Sequence, residues 1–246
     1  RMAHQLHGAT DADTNRSGEE LTGAEAWEGV LAAIGELDAY YKGVTSKFRE
    51  SPAACVNSLI ANARINGEHL TDEQLFGYYL ITATAGHDTT AHTIATAMWV
   101  LAERPDLLQK LQTDPAAIPG FVDESIRWAS PVKHFMRTAA ADVELNGQTI
   151  RKGDWLMLAY QSANRDESVF ENPHEFKINR RRDQHVAFGF GPHVCLGQHL
   201  ARLEMKILWE ELLPRIKDLR LADSPKILES NFVCGPKSVP VSYSAA

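Results

Sequence analysis

The chain has 246 residues, 44% hydrophobic and 23% charged, enough to bury a substantial core. Its net charge of −7 argues against a nucleic-acid partner, and no apolar stretch is long and uncharged enough to cross a membrane. Three unpatterned cysteines fit a reducing compartment, and no signal peptide is visible, so a cytoplasmic location is expected. The chain opens Arg1-Met2, which leads us to expect missing sequence upstream.

Residues 1 to about 20 are polar and aperiodic and read as a loop or frayed terminus. From about Ala24 to Arg49, the positions Trp27, Val30, Leu31, Ile34, Leu37, Tyr41 and Val44 mark one face of a helix. Pro52 opens another, expected to stop near Gly67. Thr71 and Gln74 form a capping box. The helical pattern then runs to Arg104, before Pro105, giving roughly 30 residues or about 50 Å.

The middle of that helix reads Ala85-Gly86-His87-Asp88-Thr89-Thr90. Gly86 costs about 1 kcal/mol against Ala in a helix interior, and Asp, Thr and Thr are poor formers beside it. The structural reading of Asp88 and Thr89 is a kink with Thr89 bonded back to a carbonyl. His87 and His92 are about 140° apart around a helix and do not make a metal pair; His87 reads as solvent-facing or as an internal hydrogen-bond partner.

A shorter helix from Pro119 to Trp128 carries Glu124 and Arg127 on one face. Val143–Leu145 and Gln148–Ile150 flank Asn146-Gly147, a two-residue hairpin signal, and Trp155 to Tyr160 reads as a strand. Near the C-terminus, Phe188-Gly189-Phe190-Gly191-Pro192-His193-Val194-Cys195-Leu196-Gly197 sets one cysteine at a glycine-rich bend before a helix. The stripe Leu196, Leu200, Leu203, Ile207, Leu208 is expected to be buried. The helix's first turn favours Cys195 as a thiolate, and such a sulfur is an axial ligand for heme iron. Cys55 and Cys234 have no such setting and read as small buried hydrophobes.

This ten-residue segment resembles the heme-ligand loop of the cytochrome P-450 superfamily, whose pattern is Phe, two residues, Gly, one residue, His or Arg, one residue, Cys, one residue, Gly. The resemblance extends over nearly the whole chain and covers the C-terminal three fifths of a complete member. It is closest to soluble bacterial terpene hydroxylases of the terpineol and camphor monooxygenase type, through Val132 to Thr138 and Cys195 to Ala201. It implies a mainly α fold with a small β component, the P-450 fold lacking its N-terminal part. One domain over 1–246 is expected. After the 1–20 loop come a helical part over 21–130 with the long distal helix 71–104, a β-rich and meander part over 131–186, and over 187–246 the heme loop, proximal helix and C-terminal strands.

The resemblance assigns heme b to Cys195, its metal ligand. Around it stand Phe188, Gly189, Gly191, Val194, Leu196, Gly197 and Ala85, with His193 and Arg137 as donors to the propionates. Asp88 is the acid and Thr89 the alcohol that manage protons. Ile81, Thr84, Ala85, Val132, Phe135, Phe232 and Val233 line an apolar substrate pocket. Glu124, Arg127 and Arg180 make a structural charge network, although Arg181 stands where related sequences often have Phe. The implied activity is insertion of one atom of dioxygen into a small apolar substrate, terpene-like or an aromatic hydrocarbon. Electrons would come from a [2Fe-2S] ferredoxin and its NAD(P)H-dependent reductase, with Arg202 and Lys206 at the docking face. The alternatives are a heme-binding fragment without turnover and a heme-thiolate peroxygenase; Asp88-Thr89 argues against the latter.

Overall fold

A computed structural model describes residues 6–15, 17–19, 21–181 and 184–246; from Gly23 onward they form eight α-helices, and ten short strands run between Arg64 and Ala245. The loop expected over 1–20 therefore includes residues 1–5, 16 and 20 outside the described set, and the 131–186 part includes 182 and 183 outside it. The described chain divides into two compact units, one running to Asp88 with Leu228–Ser230 and the other holding Thr89–Ile227 and Asn231–Ala246.

In the first unit, α1 (Gly23–Glu50) starts at a capping box of Thr22 and Glu25, and α2 spans Val56–Ala61. The buried stripe of α1 is Ala26, Val30, Ala33 and Leu37, while the expected Trp27 and Leu31 are exposed. Instead of a helix continuing to Gly67, β1 (Arg64–Ile65) and β2 (Glu68–His69) form a tight hairpin. Its corner is Asn66-Gly67, with φ of 53° and 86°, the positive pair that a primed two-residue turn requires. Cys55, expected to be buried, is exposed. α3 (Asp72–Ala85) starts at the Thr71/Gln74 capping box and packs Leu75 and Tyr79 with Leu70, the Tyr79 ring stacking on Tyr41 at 4.5 Å.

The single helix expected over 71–104 is two. α3 ends at Gly86, His87 N–H donates to the Thr84 carbonyl, and α4 begins at Asp88 and runs to Glu103. A glycine followed by a residue whose side chain seeks local hydrogen bonds makes the interruption cheap.

The second unit centres on α6 (Ile118–Ala129) and α8 (Gln198–Leu212), with α5 (Pro105–Thr113) alongside. Phe121 meets the Trp209 ring edge-on at 5.3 Å, and Leu101, Leu111, Ile118, Met205 and Leu213 close the core. Here the expected face of α8 is corrected. Met205 and Trp209 are buried, while Leu200, Leu203 and Ile207 are exposed and Leu196 is 99% exposed. Two stripes of α8 fit a helical period, and the one carrying the large aromatic ring takes the core.

The strands pair antiparallel in twos: β3 (His134–Thr138) with β6 (Trp155–Ala159), β4 (Val143–Leu145) with β5 (Gln148–Ile150), β7 (Ile216–Leu221) with β10 (Val241–Ala245), and β8 (Lys226–Ile227) with β9 (Pro236–Ser238). After β6 comes a single turn of helix, α7 (Tyr160–Ala163). The fold is mainly α with a small β component.

Candidate functional site

The loop leading into α8 is built by its own backbone. Gly189 and Gly191 sit at φ of 72° and 73°, a region in which an L side chain is strained. With these two corners, Gly189 N–H reaches the Val186 carbonyl, Val194 N–H that of Gly191, and Cys195 N–H that of Phe188 at 2.8 Å. The chain between Phe188 and Cys195 is thereby closed into a rigid bend, and Gly197 is the N-cap of α8.

Around the half-buried Cys195 stand large apolar side chains facing water: Phe190 is 86% exposed, and Val194 and Leu196 are exposed too. An apolar face of this kind with a sulfur in it suits a flat hydrophobic ring carrying a metal. His193, at the end of a 3-10 turn, and Arg137, on β3, are exposed cationic or hydrogen-bonding groups in the same unit, suited to carboxylates. Arg137 meanwhile donates to the Met136 carbonyl at 2.9 Å. The donor set fits a heme, and Cys195 is the residue that could offer its iron a sulfur.

Four of the pocket candidates come together. Val132 bridges Val233, Lys133 N–H donates to the Phe232 carbonyl, and the rings of Phe135 and Phe232 meet edge-on at 5.4 Å. In the first unit, Thr84 is buried with its hydroxyl on the Leu80 carbonyl, whereas Ile81 and Ala85 are exposed.

Asp88 is fully buried, and its carboxylate is held from two directions, by His7 Nδ1 at Oδ2 and His87 Nδ1 at Oδ1, each at 2.7 Å. A carboxylate oxygen facing a ring nitrogen accepts, so both Nδ1 atoms carry the proton when Asp88 is ionised. His7 escaped sequence reasoning because its partner lies 81 positions away. Thr89 is half-buried, and its carbonyl accepts the Thr93 hydroxyl at 2.8 Å.

Glu124, Arg127 and Arg180 form one network. Arg127 grips Glu124 with Nε and Nη2, each at 2.7 Å, and donates to the carbonyls of Asn164, Pro173 and Glu175. Lys177 N–H and Arg180 Nε add to the same carboxylate at 2.8 and 3.2 Å. Arg165 lies nearby, and burial, with the Arg127 charge, pulls its guanidinium below the usual arginine value. Asn164, fully buried, ties this network to the approach of the Cys195 loop through Ser130 Oγ and Val186 N–H. Arg202 and Lys206, expected at a docking face, are both engaged, Arg202 by Asp123 and Lys206 by Glu210, each at 2.7 Å. Among the described residues no helix is long and apolar enough to cross a membrane.

The family model for cytochrome P450 matches residues 31–242. Cytochrome P450-terp of a Pseudomonas species is 50% identical over 207 residues, covering 84% of this chain and 48% of that protein. Linalool 8-monooxygenase of Pseudomonas putida is 34% identical over 238 residues, 97% of this chain and 58% of that one. The crystal structure of CYP108D1 from Novosphingobium aromaticivorans superposes with a TM-score of 0.85 at 47% identity, over 91% of this chain and 55% of that one. The chain spans about half the length of the curated relatives it matches. With the sulfur-bearing loop in place and the match running through both units, this chain belongs to the cytochrome P450 family.

Proposed function

We propose that this chain binds heme b through Cys195 and is the heme-bearing part of a monooxygenase. One atom of dioxygen enters a C–H bond of a small apolar substrate, terpene-like or an aromatic hydrocarbon, and the other leaves as water. Two electrons and two protons complete the balance, the electrons coming from a [2Fe-2S] ferredoxin served by its NAD(P)H-dependent reductase. The observation that carries the reading is the half-buried Cys195 held in a backbone-locked bend beside exposed Phe190, Val194 and Leu196. The names of two relatives, P450-terp and linalool 8-monooxygenase, favour a terpene-like substrate.

When bound, the heme supplies the redox chemistry that activates dioxygen. The chain's own groups do the rest. Cys195 offers its sulfur from a fixed backbone; His193 and Arg137 are hydrogen-bond donors for the cofactor's carboxylates. Val132, Phe135, Phe232 and Val233 exclude water and hold hydrocarbon. Asp88, as the acid held between His7 and His87, and Thr89, as the alcohol, would manage the two protons of the reaction.

The test is optical. Reduction under carbon monoxide should give the red-shifted band of a thiolate-ligated heme, and Cys195→Ala should abolish it. A histidine-type band in the unaltered protein refutes the assignment.

A further inference from the structure

One buried carboxylate in the second unit has no part in the chemistry so far described. Asp123, beside Glu124 on α6, is 3% exposed. Its Oδ1 takes the Nε of Arg202 at 2.7 Å and faces His185 Nε2 at 3.8 Å. His185 lies upstream of Cys195 and Arg202 downstream of it, so a single carboxylate on a neighbouring helix reaches both flanks of the heme loop. The His185 side chain is itself only 5% exposed. Its Nδ1 accepts the Ala187 N–H at 3.3 Å, which leaves the ring proton on Nε2; that atom is 3.8 Å from Asp123 Oδ1, too far for a hydrogen bond.

These groups converge on one ring. The Arg202 guanidinium carbon lies 4.6 Å from the centroid of Phe188, and the His185 ring centroid lies 5.8 Å from it. Phe188 in turn supplies the carbonyl that accepts the Cys195 N–H. Carboxylate, guanidinium, aromatic ring and ligand backbone thus form a continuous chain of contacts. A guanidinium stacked on a ring and held by a buried anion is far better fixed than one in water.

We propose that Asp123 is a positioning residue for the thiolate: acting through Arg202 and Phe188, it holds the loop closed and balances the guanidinium lodged against the Phe188 ring. The proposal rests on Cys195 being the heme ligand, and it separates two effects. As a clamp, Asp123 slows opening of the bend. As a counter-charge, it offsets Arg202; without it the guanidinium favours the reduced, more negative heme, and without Arg202 the carboxylate favours the oxidised one.

The experiment uses the near-isosteric Asp123→Asn, Arg202→Gln and the double variant in the full chain. The heme reduction potential should rise in Asp123→Asn, fall in Arg202→Gln, and return near the parent value in the double variant. A purely structural loosening would move both single variants in one direction and worsen in the double. In the heme-free protein, hydrogen exchange of the Cys195 amide should accelerate roughly tenfold or more in Asp123→Asn, the scale of losing a charge-assisted hydrogen bond. A parent protein lacking the thiolate band refutes the Cys195 reading, while the exchange measurement still tests the clamp. A parent protein with that band, but with potential shifts of one sign or none and unchanged exchange, overturns the role of Asp123 alone.

Discussion

Replacing Arg127 by Ala should be among the most damaging single changes in the second unit. Its side chain and that of Glu124 are each 2% exposed, so truncation strands a buried carboxylate whose remaining hydrogen bonds among the described residues come from the Lys177 amide and Arg180. Breaking a buried pair by removing one member costs about 3–5 kcal/mol. The carbonyls of Asn164 and Pro173 lose a donor as well, so the upper end of that range applies. Against a total of about 5–15 kcal/mol for a domain, this is a large share. With a urea slope of about 2 kcal/mol/M, the unfolding midpoint should fall by about 2 M. Arg180→Ala is the control. Its carbonyl partners Glu171 and Asn172 are exposed and Glu124 keeps its two-pronged partner, so the expected loss is about 1–2 kcal/mol. Urea unfolding followed by tryptophan fluorescence decides the matter, since Trp128 borders Arg127 at 5.6 Å. A loss under about 1 kcal/mol for Arg127→Ala, or equal losses for the two variants, refutes this account of the network.

Thr89→Ala should leave substrate binding and heme reduction intact while diverting electrons to hydrogen peroxide, read as a fall in product formed per electron consumed; unchanged coupling would reduce the hydroxyl to a structural part. Asp88→Asn should slow turnover within the roughly 10²–10⁴-fold range of a lost acid–base group and alter the solvent isotope effect, and an unaltered isotope effect would remove Asp88 from proton handling. Gly120→Ala should destabilise the second unit by about 1–3 kcal/mol, because a Cβ there would overlap the Ile178 carbonyl oxygen; a midpoint unchanged in urea would show that the segment around Ile178 yields freely.

Local signals in the sequence were legible where the responsible atoms are close in the chain. The Thr71/Gln74 box, the Asn146-Gly147 hairpin and the limits of α6 all depend on neighbours a few residues apart. Asn66-Gly67 carries the same hairpin signal, yet its flanking strands are only two residues long, and alternation cannot be seen over so short a span. The face of α8 was misread for another reason. Periodicity gives the spacing of a stripe, whereas the choice between two stripes is made by the partner helix, here through Phe121 against Trp209. Asp123 and His185 left no trace in any motif, because each matters through a contact that only the folded chain creates.

The bend around Cys195 is held by amide and carbonyl groups, which do not read side chains. Phe190, Pro192 and Val194 can therefore be exchanged for other residues without undoing the hydrogen bonds that fix the sulfur, whereas Gly189 and Gly191 resist exchange, since most other L residues at those φ values cost about 1–2 kcal/mol. The segment is consequently two alphabets in one: invariant corners that set geometry, and interchangeable positions through which the shape and polarity of the surrounding surface can drift. Randomising 190, 192 and 194 together should retrieve many sequences that keep the bend, and randomising 189 and 191 mainly glycine, with asparagine and aspartate next.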